Sequence, residues 1–136
     1  MVDYSVIPEP VRDLLRERVH AFEHLEILLR MKAEAPGALG VDALTSALRI
    51  PESLVEPALV HLAVEELLVA TAPRTYRYAP ASASLDEAVS ALAVCYADSR
   101  VELFRLISSN AIERLRSGSL KIFAEAFRLR RKKKDG

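Results

Sequence analysis

Residues 41–80, VDALTSALRIPESLVEPALVHLAVEELLVATAPRTYRYAP, decide how this chain is read. Val41, Leu44 and Leu48 recur at helical spacing, and the pattern stops at Arg49-Ile50-Pro51. A longer helical pattern opens at Pro51 or Glu52. Val55, Leu59 and Leu62 form its inward side, leaving Ser53, Glu56, Val60 and His61 on other faces. Leu67-Leu68-Val69 then enters an extended stretch, Ala72-Pro73-Arg74 turns, and Thr75-Tyr76-Arg77-Tyr78 returns as a β-favouring strand. Pro57 interrupts the second helix, at a cost of about 3 kcal/mol outside a first turn. The helix therefore either kinks there or starts its regular part later.

Working outward, a long helix is expected from Pro8–Pro10 to Ala35-Pro36-Gly37, on the stripe Val11, Leu14, Leu15, Phe22, Leu25, Leu28 and Leu29. At about 25 residues it would span ~37 Å, more than the helix–turn–helix unit needs, so its N-terminal half should pack elsewhere. After the hairpin, Ala79 to Ser84 is a small-residue connector, and Ser84 with Glu87 spells a capping box. The next helix is placed on Val89, Leu92, Tyr96, Leu103 and Ile107. Ser108-Ser109-Asn110 and Ser117-Gly118-Ser119 read as breaks around a short helix, Ala111 to Arg116. A last helix, Leu120 to about Arg130, carries Leu120, Phe123, Ala124 and Phe127. The predicted class is mainly α (α+β), organised as residues 1–80, a C-terminal helical region 85–131 for dimerisation or packing, and a basic tail 132–136.

The totals fit this plan. The chain has 136 residues, 51% hydrophobic, with four glycines, enough apolar content for a real core. No apolar run approaches the ~18 residues that cross a bilayer, and the N-terminus lacks a basic region leading into an apolar one. A single cysteine excludes an intramolecular disulfide and fits a reducing cytoplasm. Net charge is zero but divided: residues 1–66 hold six Lys/Arg against twelve Asp/Glu, and residues 67–136 hold thirteen against seven. An acidic front and basic back favour head-to-tail association or two different partners, unless the tail alone creates the asymmetry.

The segments DALTSALRIP, VEPALVHLAVEELLV and TYRY, within residues 40–80, resemble the winged helix-turn-helix superfamily, including bacterial regulators of the MarR and PadR kinds. The resemblance implies a non-enzymatic DNA-binding transcriptional regulator, acting on double-stranded DNA as a homodimer joined through the first and C-terminal helices. It would place the second helix in the major groove and the hairpin, or wing, on the backbone. Arg49, Ser53, His61, Arg74, Tyr76 and Arg77 are the candidate DNA contacts. Three features depart from the pattern. Glu65-Glu66-Leu67 stands where regulators usually carry glycine, Pro57 lies inside the helix, and that helix has Glu52, Glu56, Glu65 and Glu66 but no Lys or Arg. Carboxylates facing phosphates oppose binding. The alternative is a winged helix that binds a protein partner, its acidic helix serving as recognition surface or burying against the basic C-terminal region.

Arg128, Arg130, Arg131, Lys132, Lys133 and Lys134 could track a nucleic-acid backbone, an anionic membrane surface or an acidic partner; as a solvated end they would do none of these. Phe123 and Phe127 sit at spacing typical of core or interface. His20-Ala21-Phe22-Glu23-His24 spells the zinc string H-x-x-E-H, but a third ligand and a cleft have no home, so a chance match on a polar face is the expected explanation. Cys95 reads as a buried inert thiol, or an oxidation sensor if exposed near a cation. No phosphate loop, nucleophile motif or Cys/His cluster appears, and neither catalysis, a metal nor a cofactor is expected.

Overall fold

The computed structural model describes residues 5–134, with side chains described through Arg128. Elements follow in the order α1 (Glu9–Glu17), α2 (Phe22–Glu34), β1 (Ala38–Gly40), α3 (Val41–Leu48), α4 (Glu52–Val64), β2 (Leu68–Ala72), β3 (Thr75–Tyr78), α5 (Ala83–Asp98) and α6 (Arg100–Lys134). The fold is mainly helical with one three-stranded antiparallel sheet, ordered β1-β3-β2. The expected hairpin is present, with Leu68 opposite Tyr78 and Ala70 opposite Tyr76. A register shift between Ala70 and Ala72 bends it just before the Pro73-Arg74 turn. Strand β1 was not expected. It pairs Ala38 to Arg77 and Gly40 to Thr75, so β3 becomes the central strand.

Helix α2 lies at the centre of one layer. Leu25, Ile27, Leu28 and Met31 are fully buried, against α4, α3 and the sheet, with Val55, Leu59, Leu62, Leu44 and Leu68 supplying the other side. A second layer forms where α1 packs on α5 and the start of α6, burying Val11, Leu14, Leu15, Val89, Leu92, Leu103 and Ile107. Among the described residues no polar or charged residue is buried, so the core depends on apolar area alone. One polar seam joins the layers. Asp86 of α5 accepts from Tyr78 Oη at 2.6 Å and Lys32 Nζ at 3.0 Å, and Lys32 also sits 4.9 Å from the centre of the Tyr78 ring. The Tyr78 bond first, then Lys32, holds the Asp86 carboxyl below its ordinary range.

Four expectations are corrected. The helix expected to continue through Leu103 to about Ile107 ends at Asp98, where Ser99 leaves helical geometry (φ −139°, ψ 44°) and α6 begins at Arg100. The long first helix is two helices, because Arg18 to Ala21 leave helical geometry although no proline or glycine is there. Val19 is drawn into the core with no exposure, and Ala21 is extended (φ −142°, ψ 161°). The His20 N–H turns instead to His24 Nδ1 at 3.1 Å. Helix α5 starts two residues earlier than the capping box suggested: Ser82, not Ser84, is the cap, its Oγ accepting from Leu85 N at 3.1 Å. Finally, the serine-rich stretches do not break α6, which runs unbroken for 35 residues, about 52 Å. Serine, asparagine and one glycine each cost a fraction of a kcal/mol to about 1 kcal/mol in a helix, too little to end one of this length.

Helix α4 also runs straight through Pro57, which lies exposed, as does Ser53, whose carbonyl loses its usual donor. Its far end explains the missing glycine. Glu66 adopts φ 66°, with its N–H to Ala63 O and the Leu67 N–H to Leu62 O, both at 3.0 Å. That is the paired bonding of a Schellman cap, made by a residue with a Cβ penalty in the left-handed region. Glu66→Gly is expected to stabilise the protein by about 1 kcal/mol and raise its melting temperature by a few degrees, whereas Glu66→Val lowers it. Thermal melts followed by circular dichroism check the sign of both.

Candidate functional site

The candidate contact residues do not all share one exposed surface: His61 is turned to the joint between α1 and α2, and Tyr76 packs partly into the core. Arg49 ends α3 in the left-handed region (φ 56°), exposed, its N–H bonded to Thr45 O at 3.0 Å. Ser53 is exposed in the first turn of α4, and Arg77 is exposed on β3. Neither Arg49 nor Arg77 has an ion pair among the described residues. Tyr76 is only half-exposed and packs against the core cluster.

Arg74 is not free. The Pro73-Arg74 turn, with Arg74 at φ 59°, swings the guanidinium back onto α4. Its Nη2 hydrogen-bonds Glu52 Oε1, and its Nε lies 3.8 Å from Glu56 Oε1. The bond to Glu52, then the charges of Glu52, Glu56 and Asp42, raise its pKa further. All these groups are exposed, so the pair adds little stability. It does engage the cation of the hairpin turn, which the sequence offered as a phosphate contact, with carboxylates of the same chain.

The outward stripe of α4 is made by Ser53, Pro57, Val60 and Val64, which share a face at three- and four-residue spacing. Val60 is 50% exposed and Val64 72%, and Leu54 of the same helix is 45% exposed. Glu52 and Glu56 border the stripe on the hairpin side. This face is apolar and acid-edged, with one hydroxyl and no cation on the stripe itself.

His61 belongs to a different site. It faces the joint between α1 and α2, donating from Nε2 to the Arg18 carbonyl at 2.8 Å. Its ring stacks on His24 with centroids 4.2 Å apart and planes 13° from parallel, and it lies 5.0 Å from His20. Arg18 crosses back to the Glu65 carbonyl and its carboxylate. Arg114 of α6 reaches in to donate to the His20 carbonyl at 3.1 Å. Three imidazoles and the Arg114 side chain therefore meet where α1, α2, α4 and α6 come together. His20 and His24 were legible as the H-x-x-E-H string, but the third histidine was missed because it comes from 37 residues further along. His24 and His61 stack, and the His20 ring is tilted about 50° to both. Nitrogens of His20, His24 and His61 are each engaged with backbone, and among the described residues no group of three such side chains is arranged to hold a metal.

Cys95 is 6% exposed, and burial followed by the Asp98 charge pushes its thiol upward, away from the reactive thiolate. Arg128 is exposed near the end of α6. The side chains of Arg130, Arg131, Lys132, Lys133 and Lys134, and residues Asp135 and Gly136 of the expected tail, lie outside the described residues; the backbone to Lys134 is helical. No family model matches the chain, and neither the curated proteins nor the solved structures yield a match.

The histidine cluster has a direct consequence for stability. Burial first, then the charges of His61, His20 and Arg114, press His24 down from 6.5 to about 4, and His20 is lowered mainly by burial and Arg114. Between those values the unfolded chain takes up protons that the folded cluster refuses. The stability is thus complete above pH ~6.5 and falls as pH drops toward ~4. Because the rings are half-exposed, the loss is about 1–2 kcal/mol after screening. Melting temperatures measured from about pH 7.5 to about pH 4.5 should decline, and His24→Gln should flatten the slope; a flat wild-type profile contradicts the assignment.

Proposed function

We propose that residues 22–78 form a winged helix-turn-helix that works as a non-enzymatic protein-interaction module, its α4 face receiving a protein partner in place of DNA. The element order, the strand order β1-β3-β2 and the two-residue turn between β2 and β3 support the winged-helix reading. The observation that carries the function is the outward stripe of α4. Major-groove reading needs donors and cations on that stripe, and here it offers Ser53, Pro57, Val60 and Val64. The single arginine of the hairpin turn is held by the same helix's carboxylates. A contiguous apolar strip with a charged rim is the composition of a protein-binding surface.

A second reading, a DNA-binding transcriptional regulator, is favoured by Arg49 and Arg77. Both are exposed without ion pairs among the described residues and could reach phosphates. Fluorescence anisotropy with a mixed-sequence duplex, titrated across salt, separates the two. The interaction module predicts weak binding that is indifferent to Arg49→Ala with Arg77→Ala. Tight, salt-steep binding lost in that double variant would establish the regulator instead. On the positive side, a photo-crosslinking residue placed at Val60 in cells should capture a discrete protein, and the same residue at Arg12 should not.

A further inference from the structure

Helix α6 leaves the body of the protein after its first third. Leu103, Leu106 and Ile107 are buried, but beyond Ala111 most side chains described to Arg128 are exposed. The segment from Ala111 to Lys134 is about 36 Å long. Ile112, Leu115, Leu120, Ile122, Phe123 and Phe127 are each more than half exposed along it. Six large apolar side chains on so short a segment form a patch, not scattered exposure.

Their placement is ordered. Successive residues stand about 100° apart around a helix. On that wheel Ile122, Leu115, Ile112, Phe123, Phe127 and Leu120 follow one another across roughly 160°. Arg114, Lys121, Glu125 and Arg128 fall on the opposite half. Among the described residues of this segment, Arg116 is the one charge well inside the apolar arc. Its aliphatic stem can lie along the arc while the guanidinium reaches the edge.

The arc also faces away from the body. Leu103, Ile107 and Arg114, through which α6 holds to the body, lie on the polar half of the wheel, with Arg114 donating to the His20 carbonyl at 3.1 Å. Val101 and Ser108, both exposed, continue the line of the arc toward the root of the helix. A flat surface can therefore meet the whole face without displacing those contacts.

Charge decides what that surface is. Residues 111–134 hold nine Lys/Arg against Glu113 and Glu125, a net charge of +7, with five consecutive cations from Arg130 to Lys134. A second copy would bring the same positive charge against it. Duplex DNA would accept the cations but leave the phenylalanines, isoleucines and leucines in water. The arc is also wider than the single seam by which one helix packs along another. Anionic lipid meets both demands: acyl chains take the apolar arc, and phosphates take the cations. Among the described residues no helix is long and apolar enough to cross a membrane. Eleven charged residues keep this segment in the interface plane.

We infer that residues 111–134 of α6 lie flat on an anionic lipid bilayer, with Ile112, Leu115, Ile122, Phe123 and Phe127 below the headgroups and the basic run among the phosphates. This surface is separate from the α4 face, and the inference stands whether that face binds protein or DNA.

Co-sedimentation of the full chain with vesicles tests this. Vesicles of equal parts phosphatidylglycerol and phosphatidylcholine should bind it at least about 100-fold more tightly than phosphatidylcholine alone, and high salt should weaken that binding. Phe123→Asp with Phe127→Asp should weaken it by about 100-fold. Melting of the body should be unchanged, since both rings are exposed. Depth is read with tryptophan, which the native sequence lacks. On the anionic vesicles Phe123→Trp should shift its emission to the blue and be quenched by brominated acyl chains. Ser117→Trp, on the polar half of the wheel, should show neither. A chain that binds neither kind of vesicle, or both alike, overturns the inference. So does adsorption indifferent to the phenylalanine substitutions, or equal quenching of the two tryptophans. Self-association abolished by the phenylalanine substitutions, without vesicle binding, would overturn it in favour of a second copy.

Discussion

Two hydrogen bonds spanning more than forty residues keep the first two helices from fusing. His61 donates to the Arg18 carbonyl, and the Arg18 guanidinium donates to the Glu65 carbonyl. The Arg18 carbonyl released by the break is thereby engaged by α4, the His20 carbonyl by Arg114 and the His20 N–H by His24, and Val19 turns into the core. Each such bond adds only about 1 kcal/mol net, but leaving buried partners unmatched costs more. The architecture follows from that joint. With the chain redirected at Ala21, α2 lies under α3, α4 and the sheet, and α1 covers α5 and the root of α6. A continuous rod could not serve both layers.

The same region gathers much of the half-buried ionisable chemistry. His20 and His24 are tolerated beside Arg114 because their protonation is opposed first by burial and then by the neighbouring charges. Arg114 ties α6 to this joint through the His20 carbonyl. Acid therefore acts on the junction of four helices, whereas the Tyr78–Asp86–Lys32 seam is strengthened by ionisation of its carboxylate. The two polar assemblies respond to falling pH in the same destabilising direction, the imidazoles by acquiring a charge and the carboxylate by losing one.

Local chemistry also decides what the α4 face can bind. A left-handed Arg74 in a two-residue turn points its guanidinium at Glu52 and Glu56, so the acidic residues of the helix and the lone cation of the hairpin tip satisfy each other. What remains outward is valine, leucine and proline with the single hydroxyl of Ser53. The long C-terminal helix presents a different surface, with a wide apolar face ending in cations. One small body thus carries two apolar faces with unlike electrostatic borders, suited to two different contacts.

Periodicity and turn chemistry in the sequence alone determined α3, α4, the hairpin and the mainly helical class, because each has its cause within a few neighbouring residues. Val41, Leu44 and Leu48 repeat within one helix, and Pro51 and Pro73 mark turns where they stand. The acidic character of α4 and the basic end of the chain were equally legible, being matters of composition. Only the tertiary structure decided the break at Arg18 to Ala21, the three-residue strand β1, the left-handed Glu66, the joining of His61 to His20 and His24, and the continuity of α6 through its serines. In each of these a weak local preference, worth a kcal/mol or less, yields to a distant partner or to the cooperativity of a long helix. No scan of neighbouring residues contains that partner.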